Sequence, residues 1–93
     1  MTTYMIGYDL NKPLQNYAGL IEAIKTYSPW WHHLDSTWLI VTDETAVQIR
    51  DKLVPYLDSN DELLVAKVSA PGAWQGFNQQ GSEWLRDNLK PCN

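Results

Sequence analysis

Cysteine is almost absent from this chain. Cys92 is the only one among 93 residues, which excludes an internal disulfide and a CxxC zinc motif. A lone thiol is typical of a reducing compartment, so we predict a cytoplasmic location. The chain also lacks an apolar run of about 18 residues and a basic-then-apolar leader, so we expect neither a membrane span nor secretion.

Positive charge is also scarce. The chain has 7 Lys and Arg against 11 Asp and Glu, for a net charge of -4. Binding to nucleic acid or to an anionic membrane surface depends on clustered Lys and Arg, and no such run is present. The composition therefore indicates no membrane partner and disfavours a nucleic-acid partner without excluding one.

Tryptophan, by contrast, is plentiful. Five tryptophans occur in a chain whose length is that of one domain. Indole rings are costly to leave in water, so they mark either the core or an interface with another molecule.

The order of secondary-structure elements predicts the fold class. Short β-rich runs predict strands over 3–9, 30–34, 37–42 and 62–68, and apolar stripes predict helices over 15–28 and 44–57, with a short terminal helix over 80–89. The order β-α-β-β-α-β predicts an α+β, ferredoxin-like sandwich: an antiparallel sheet in strand order 4-1-3-2 with two helices on one face. We expect a core over 1–70 and a tail over 71–93 that packs on the core or on a dimer partner.

The second and third predicted strands are apolar on both sides, and such strands are normally covered on both faces. A two-residue hairpin loop at 35–36 would place Trp31, Trp38 and Ile40 on one face and the aliphatic Leu39 and Val41 on the other. We assign the aliphatic set to the helix side; the inverted assignment is the alternative. The exposed indoles then predict a homodimer, contact with another protein, or cover by the tail. The predicted interface residues are Trp31, Trp38, Ile40, Trp74 and Trp84.

The first strand ends in an acid, in the stretch "YMIGYDLNKP". We predict that the topology gathers Asp9, Asp43, Asp61 and Glu62 at one sheet edge, together with the start of the second strand. Clustered carboxylates can hold Mg²⁺ or Mn²⁺ and activate water, which makes Asp9 the candidate catalytic and metal-binding residue. The neighbouring Asn11 and Lys12 are candidates for positioning phosphate. The alternative is that all four acids end strands, cap helices or solvate turns.

His32 and His33 are adjacent on a strand, so their side chains point to opposite faces and cannot easily share one metal ion. We expect one of them to pack on Trp38 or to bond a partner.

Several stretches resemble known families. "YMIGYDLNKP", "LIEAIK", "WWHHLDSTWLIVT" and "DELL" resemble a small bacterial and phage family labelled SinR family protein, whose function is poorly defined. The "YD" at the end of the first strand more distantly resembles the small CRISPR-associated adaptation protein (the second Cas family) and its VapD-like toxin relatives. This resemblance implies a ferredoxin-like homodimer in which Asp9 matches the proposed metal-dependent nuclease residue.

Three functions remain open, and the residues do not decide whether the chain is an enzyme. The first is a non-catalytic, homodimeric interaction or regulatory module of a mobile-element or defence-related locus. The second is an endoribonuclease or nuclease that uses Asp9 with Mg²⁺ or Mn²⁺. The third is a small-ligand sensor, although no residue indicates its ligand.

Overall fold

The computed structural model describes residues 1–11 and 17–91. These residues form four strands, β1 (Thr2–Asp9), β2 (Trp30–Leu34), β3 (Thr37–Thr42) and β4 (Glu62–Lys67). They also form three α-helices, α1 (Ala18–Lys25), α2 (Ala46–Leu53) and α3 (Gln79–Asn88), with a 3-10 turn, Val54–Tyr56, after α2. None of these helices has the length and apolar character that crossing a bilayer requires.

The four strands form one antiparallel sheet in the order β2-β3-β1-β4. This is the predicted strand order read from the other edge. The observed α+β architecture is compatible with a ferredoxin-like sandwich. Lys12, the predicted phosphate-positioning residue, and Cys92 lie outside the described residues.

The first face of the sheet lies under α1 and α2. Ile6, Trp38 and Ile40 point from the strands into this layer, and all three are buried. The helices contribute the apolar stripes expected from their sequence, namely Leu20, Ala23, Ile24, Ile49 and Leu53. We call this layer the first core.

Local sequence explains where α2 begins. The Thr45 hydroxyl accepts a hydrogen bond from the Gln48 N–H, and the Gln48 side chain accepts one from the Thr45 N–H. This reciprocal capping box satisfies two backbone donors that a helix N-terminus otherwise leaves unpaired. The predicted start at residue 44 was therefore early, because the capping residue is Thr45.

A β-bulge in the β2–β3 hairpin puts Trp31 and Trp38 on opposite faces of the sheet, and the inverted assignment of the β3 faces is the one observed. Leu34 pairs with Thr37, but Trp31 pairs with Leu39, so two residues of β2 lie opposite one residue of β3. A one-residue slip moves every later side chain to the other face. Trp31 consequently shares its face with Leu39, whereas Trp38 and Ile40 belong to the helix side. The predicted placement of Trp38 and Ile40 on the open face was wrong, and so was that of Leu39 on the helix side.

The second face is covered in part by the chain's own tail. Trp31, Leu39 and Leu85 are buried together, and a set of half-buried apolar residues packs around them: Met5, Val68, Phe77, Trp84 and Leu89. The Trp31 indole N–H donates to the Gly81 carbonyl at 3.2 Å, which ties α3 to β2. Of the covers that we expected for the indoles, the tail is therefore present. We call this layer the second core.

Candidate functional site

One end of the second face is left uncovered beyond α3. The strand register places Leu34, Thr37, Gly7 and Leu64 side by side across all four strands. We call these four residues the open row. Its two leucines are 48% and 58% exposed. Three strand spacings of about 4.8 Å make the row about 14 Å long, with an apolar side chain at each end and a gap between them.

Gly7 forms the gap in the open row. A Cβ atom added to Gly7 would meet only the Met5 methyl carbon, at 3.9 Å. Among the described residues only Gly76 has a positive φ, so the backbone of Gly7 does not require glycine either. No indole lies within 4 Å of this position. Glycine inside a strand lowers stability and often marks a place where another molecule approaches closely.

Asp9 borders the open row. It is exposed and pairs across the sheet with Glu62, so two carboxylates lie side by side on the face that carries Gly7 and Leu64. Asp43 does not join them. Thr42, the residue before it, pairs with Thr2 at the opposite end of β1. The predicted four-acid cluster was therefore wrong, because the end of β1 lies beside the start of antiparallel β3, not beside its end.

The start of β2 also lies away from Asp9, since Trp30 pairs with Ile40 toward the end of β3. Its predicted position at the Asp9 edge was wrong for the same reason.

Asp61 remains at the Asp9 edge, but it is engaged in holding the fold. Its carboxylate accepts hydrogen bonds from the Asn11 N–H at 2.8 Å, the Tyr17 hydroxyl at 2.9 Å and the Asp58 N–H at 2.8 Å. The Asn11 side chain also donates to the Asn60 carbonyl at 2.5 Å. Asn11 and Asp61 therefore join the exit of β1 to the loop before β4. The sequence pattern missed this role, which only the spatial meeting of three segments creates.

Three of the five predicted interface residues are buried within the chain. Trp31 and Ile40 lie inside the two cores, and Trp38 is only 1% exposed, so none of the three offers surface to a partner. Their prediction as interface residues was wrong, because the helix layer covers Trp38 and Ile40 and the tail covers Trp31. Trp74 is 38% exposed and Trp84 is half-buried in the second core.

The histidines point to opposite sides of β2, as expected. The ring of His32 stacks on Trp38, with the ring centroids 3.7 Å apart and the planes 11° from parallel. The ring of His33 lies beside Trp31 and Phe77. The two rings therefore serve packing on two different faces.

A charged cluster lies in a cleft at the far end of the first core. The Tyr27 hydroxyl donates to Glu44 at 2.7 Å, and the Lys52 ammonium donates to the other carboxylate oxygen at 3.1 Å. The Lys52 ammonium also lies 4.4 Å from the centre of the Tyr27 ring.

These contacts change the protonation equilibria of the cluster. The hydrogen bond from Tyr27 and the nearby Lys52 hold the pKa of Glu44 below its ordinary value. Burial and the bond to Glu44 raise the pKa of Tyr27, and the contact with Tyr27 raises the pKa of Lys52. Because all three are already partnered, the cluster ties the end of α1 to α2.

The sheet edge that carries Asp9 and Glu62 offers few metal ligands. In the described part of the chain, no three His, Cys, Asp or Glu residues are arranged to hold a metal ion. Asp9 and Glu62 could supply two oxygen ligands from one chain, and hard cations such as Mg²⁺ take six. A metal bound there would draw its remaining ligands from water, substrate or a second molecule.

Comparison with known proteins supplies no relative: no protein-family model, curated protein or solved structure matches the chain. The resemblances drawn from short stretches therefore stay predictions.

Proposed function

We propose that the chain is a non-catalytic interaction module that pairs with a second copy of itself through the open row. The observation that carries this proposal is Gly7, which lies in a strand with open space above it and no backbone need for glycine. A leucine from a second copy would fill the space that this glycine leaves.

The geometry of the open row is suited to twofold pairing. Leu34 and Leu64 flank Gly7 at either end. In a twofold pair each contact occurs twice. A surface with protruding leucines beside the space above Gly7 is therefore complementary to a second copy of itself. Asp9 and Glu62 then lie on the polar rim, which is where charged residues belong in an interface.

The size of the open row limits the affinity. Stable interfaces bury roughly 1,200–2,000 Å² in total, and a row about 14 Å long supplies less than that. Two chains of net charge -4 also repel each other. We therefore expect a weak dimer, micromolar or weaker, that tightens as added salt screens the repulsion.

The Gly7→Thr variant tests self-association without lowering the stability of the fold. Threonine favours strands and would have room, so the variant should be at least as stable as the wild type. Its side chain would fill the gap, so self-association should be lost. Sedimentation equilibrium from micromolar to millimolar concentration measures the pairing, and urea unfolding measures the stability.

A matched pair of arginine variants serves as the control. Leu64→Arg places charge at the end of the open row, whereas Val47→Arg places it on α2 at a site that is 54% exposed. Only Leu64→Arg should abolish the dimer. A wild-type chain that stays monomeric at millimolar concentration, or a Gly7→Thr variant that still pairs, would reject the proposal.

The second candidate function is a Mg²⁺- or Mn²⁺-dependent nuclease, and the pairing of Asp9 with Glu62 favours it. In a pair of chains these carboxylates could meet those of the second copy. The assay compares cleavage of RNA and DNA by the wild type, Asp9→Asn and Glu62→Gln with either metal. Loss of cleavage in Asp9→Asn with unchanged folding would support catalysis, and cleavage that survives in both variants would exclude it.

A further inference from the structure

A basic cleft lies at the opposite end of the sheet from the open row. Its volume is about 390 Å³, and it lies between the start of β1, the exit of β4 and the last described residues of the tail. The residues that line it are Met1, Thr2, Thr3, Lys67, Val68, Ser69, Asn88, Lys90 and Pro91.

The charge of this cleft differs from that of the rest of the molecule. Lys67 and Lys90 line it, and none of the described residues that line it is acidic. Neither lysine forms an ion pair with any carboxylate in the described part of the chain. Lys52 and Arg50, by contrast, are paired with carboxylates. Lys67 and Lys90 therefore give the cleft two positive charges that no carboxylate among the described residues contacts.

Hydrogen bonds between distant segments hold the walls of the cleft together. The Thr3 hydroxyl donates to the Asn88 carbonyl at 2.6 Å, and the Val68 N–H donates to the Thr3 carbonyl at 2.9 Å. The Ala70 N–H donates to the Lys90 carbonyl at 2.8 Å. Lys67 and Lys90 are therefore carried by segments that are anchored to each other, and the cleft exists before any ligand arrives.

We propose that this cleft binds a phosphate-type oxyanion. Two ammonium groups supply charge-assisted hydrogen bonds, which are the stronger kind, and the hydroxyls of Thr2 and Ser69 add neutral donors. The cavity exceeds the volume of a free phosphate, so a small phosphomonoester also fits. A nucleic-acid strand does not suit the site, because the net negative charge of the chain repels a long polyanion.

The test is a titration of the full chain followed by amide chemical shifts in ¹H–¹⁵N NMR spectra. The two probes are inorganic phosphate and ribose 5-phosphate, each at constant ionic strength set with chloride. We expect saturable shifts at Thr2, Ser69 and the residues around Lys90. Tighter binding of ribose 5-phosphate would identify a phosphomonoester as the ligand, and equal or tighter binding of inorganic phosphate would identify the free anion.

Two lysine-to-glutamine variants decide whether Lys67 and Lys90 bind the phosphate group. The double variant Lys67→Gln with Lys90→Gln should bind at least about tenfold more weakly, since a hydrogen bond to a charged group contributes more than 1.4 kcal/mol. Lys25→Gln is the control, because the Lys25 ammonium lies over the Trp30 ring, 5.5 Å from its centre, and not in the cleft. Unchanged binding in the double variant, an equal loss in the control, or identical shifts with chloride alone would overturn the proposal.

Discussion

The two faces of the sheet are built from the same strands but are covered to different extents. The face under α1 and α2 is sealed: Ile6, Ile40 and the two helix stripes are fully or almost fully buried. The opposite face is covered only by the tail, which includes α3, and this cover leaves the open row exposed. The sealed face accounts for stability, whereas the partly covered face offers surface to other molecules.

Amino-acid choice follows this division. The first core combines aliphatic side chains with the buried Tyr27 ring and one large indole, Trp38, whose N–H donates to the Tyr8 hydroxyl at 3.0 Å. The second core is built around Trp31, with Phe77 edge-on to it at 4.9 Å between ring centroids. Large rings let a short helix and an extended segment cover much area with few residues.

Ile40→Ala should have the largest effect, because it opens a cavity in the sealed face. Ile40 is fully buried between the helices and the central strands. We expect a loss of about 4 kcal/mol of unfolding free energy, within the range for isoleucine-to-alanine changes in cores. Urea denaturation measures it. A loss below about 1 kcal/mol would show that the first core is not the main source of stability.

Leu85→Ala tests the second face with a similar truncation. Leu85 is buried against Trp31 and Leu39, but several of its neighbours are only half-buried and can move into the space. We expect a smaller loss, about 2 kcal/mol, at the low end for leucine truncations. The same denaturation series compares both variants. A loss equal to or larger than that of Ile40→Ala would contradict the unequal roles of the two faces.

Substitutions of the two N-cap residues compare how firmly α2 and α3 are held. Thr45 caps α2 on the sealed face, and the Asn78 side chain caps α3 by accepting from the Gly81 N–H at 2.8 Å. Replacing either residue by alanine should cost about 1 kcal/mol. If α3 is the more weakly held helix, hydrogen exchange in Asn78→Ala should accelerate in α3 alone. Acceleration across the whole sheet would show that both faces unfold together.

The smallest effect concerns pH and the Glu44 cluster on the sealed side. Because the pKa of Glu44 is lowered in the folded chain, its contribution is fully present above its ordinary value of 4.5 and disappears as pH falls through the lowered pKa. In Glu44→Gln, the unfolding free energy should therefore fall less steeply than in the wild type as pH drops below about 4.5. The difference should be less than about 1 kcal/mol, because the side chains are partly exposed. Thermal unfolding between pH 3 and 7 measures it; matching profiles for wild type and variant would refute the assignment.

Sequence patterns predicted the elements well. The bounds of β2 and β3 agree with the structure, and β1, β4 and the terminal helix are within about one residue. These segments are short, rich in β-branched and aromatic residues or clearly periodic, and bounded by turn residues, which are the conditions under which local patterns are informative. Both predicted helices ended too late, since α1 ends at Lys25 and α2, which begins after its Thr45 cap, is followed by a 3-10 turn at Val54–Tyr56.

The candidate site was predicted less well, because it depends on register. Asp9 was correctly located at the end of β1, beside Glu62. Asp43 was placed at the wrong end of the sheet, and the open row was not foreseen at all. Its members, Leu34, Thr37, Gly7 and Leu64, come from four strands and share no pattern in the sequence.

The sequence by itself determined which segments become strands and helices, because hydrophobic periodicity and turn residues act over a few neighbouring residues. Only the tertiary structure decided which face each indole occupies, because one extra residue in β2 reverses the alternation for Trp30 and Trp31. It also decided that Asp61 holds three segments together and that Gly7 lies in an uncovered row. Such features arise between residues distant in the chain, and local patterns carry no information about their register.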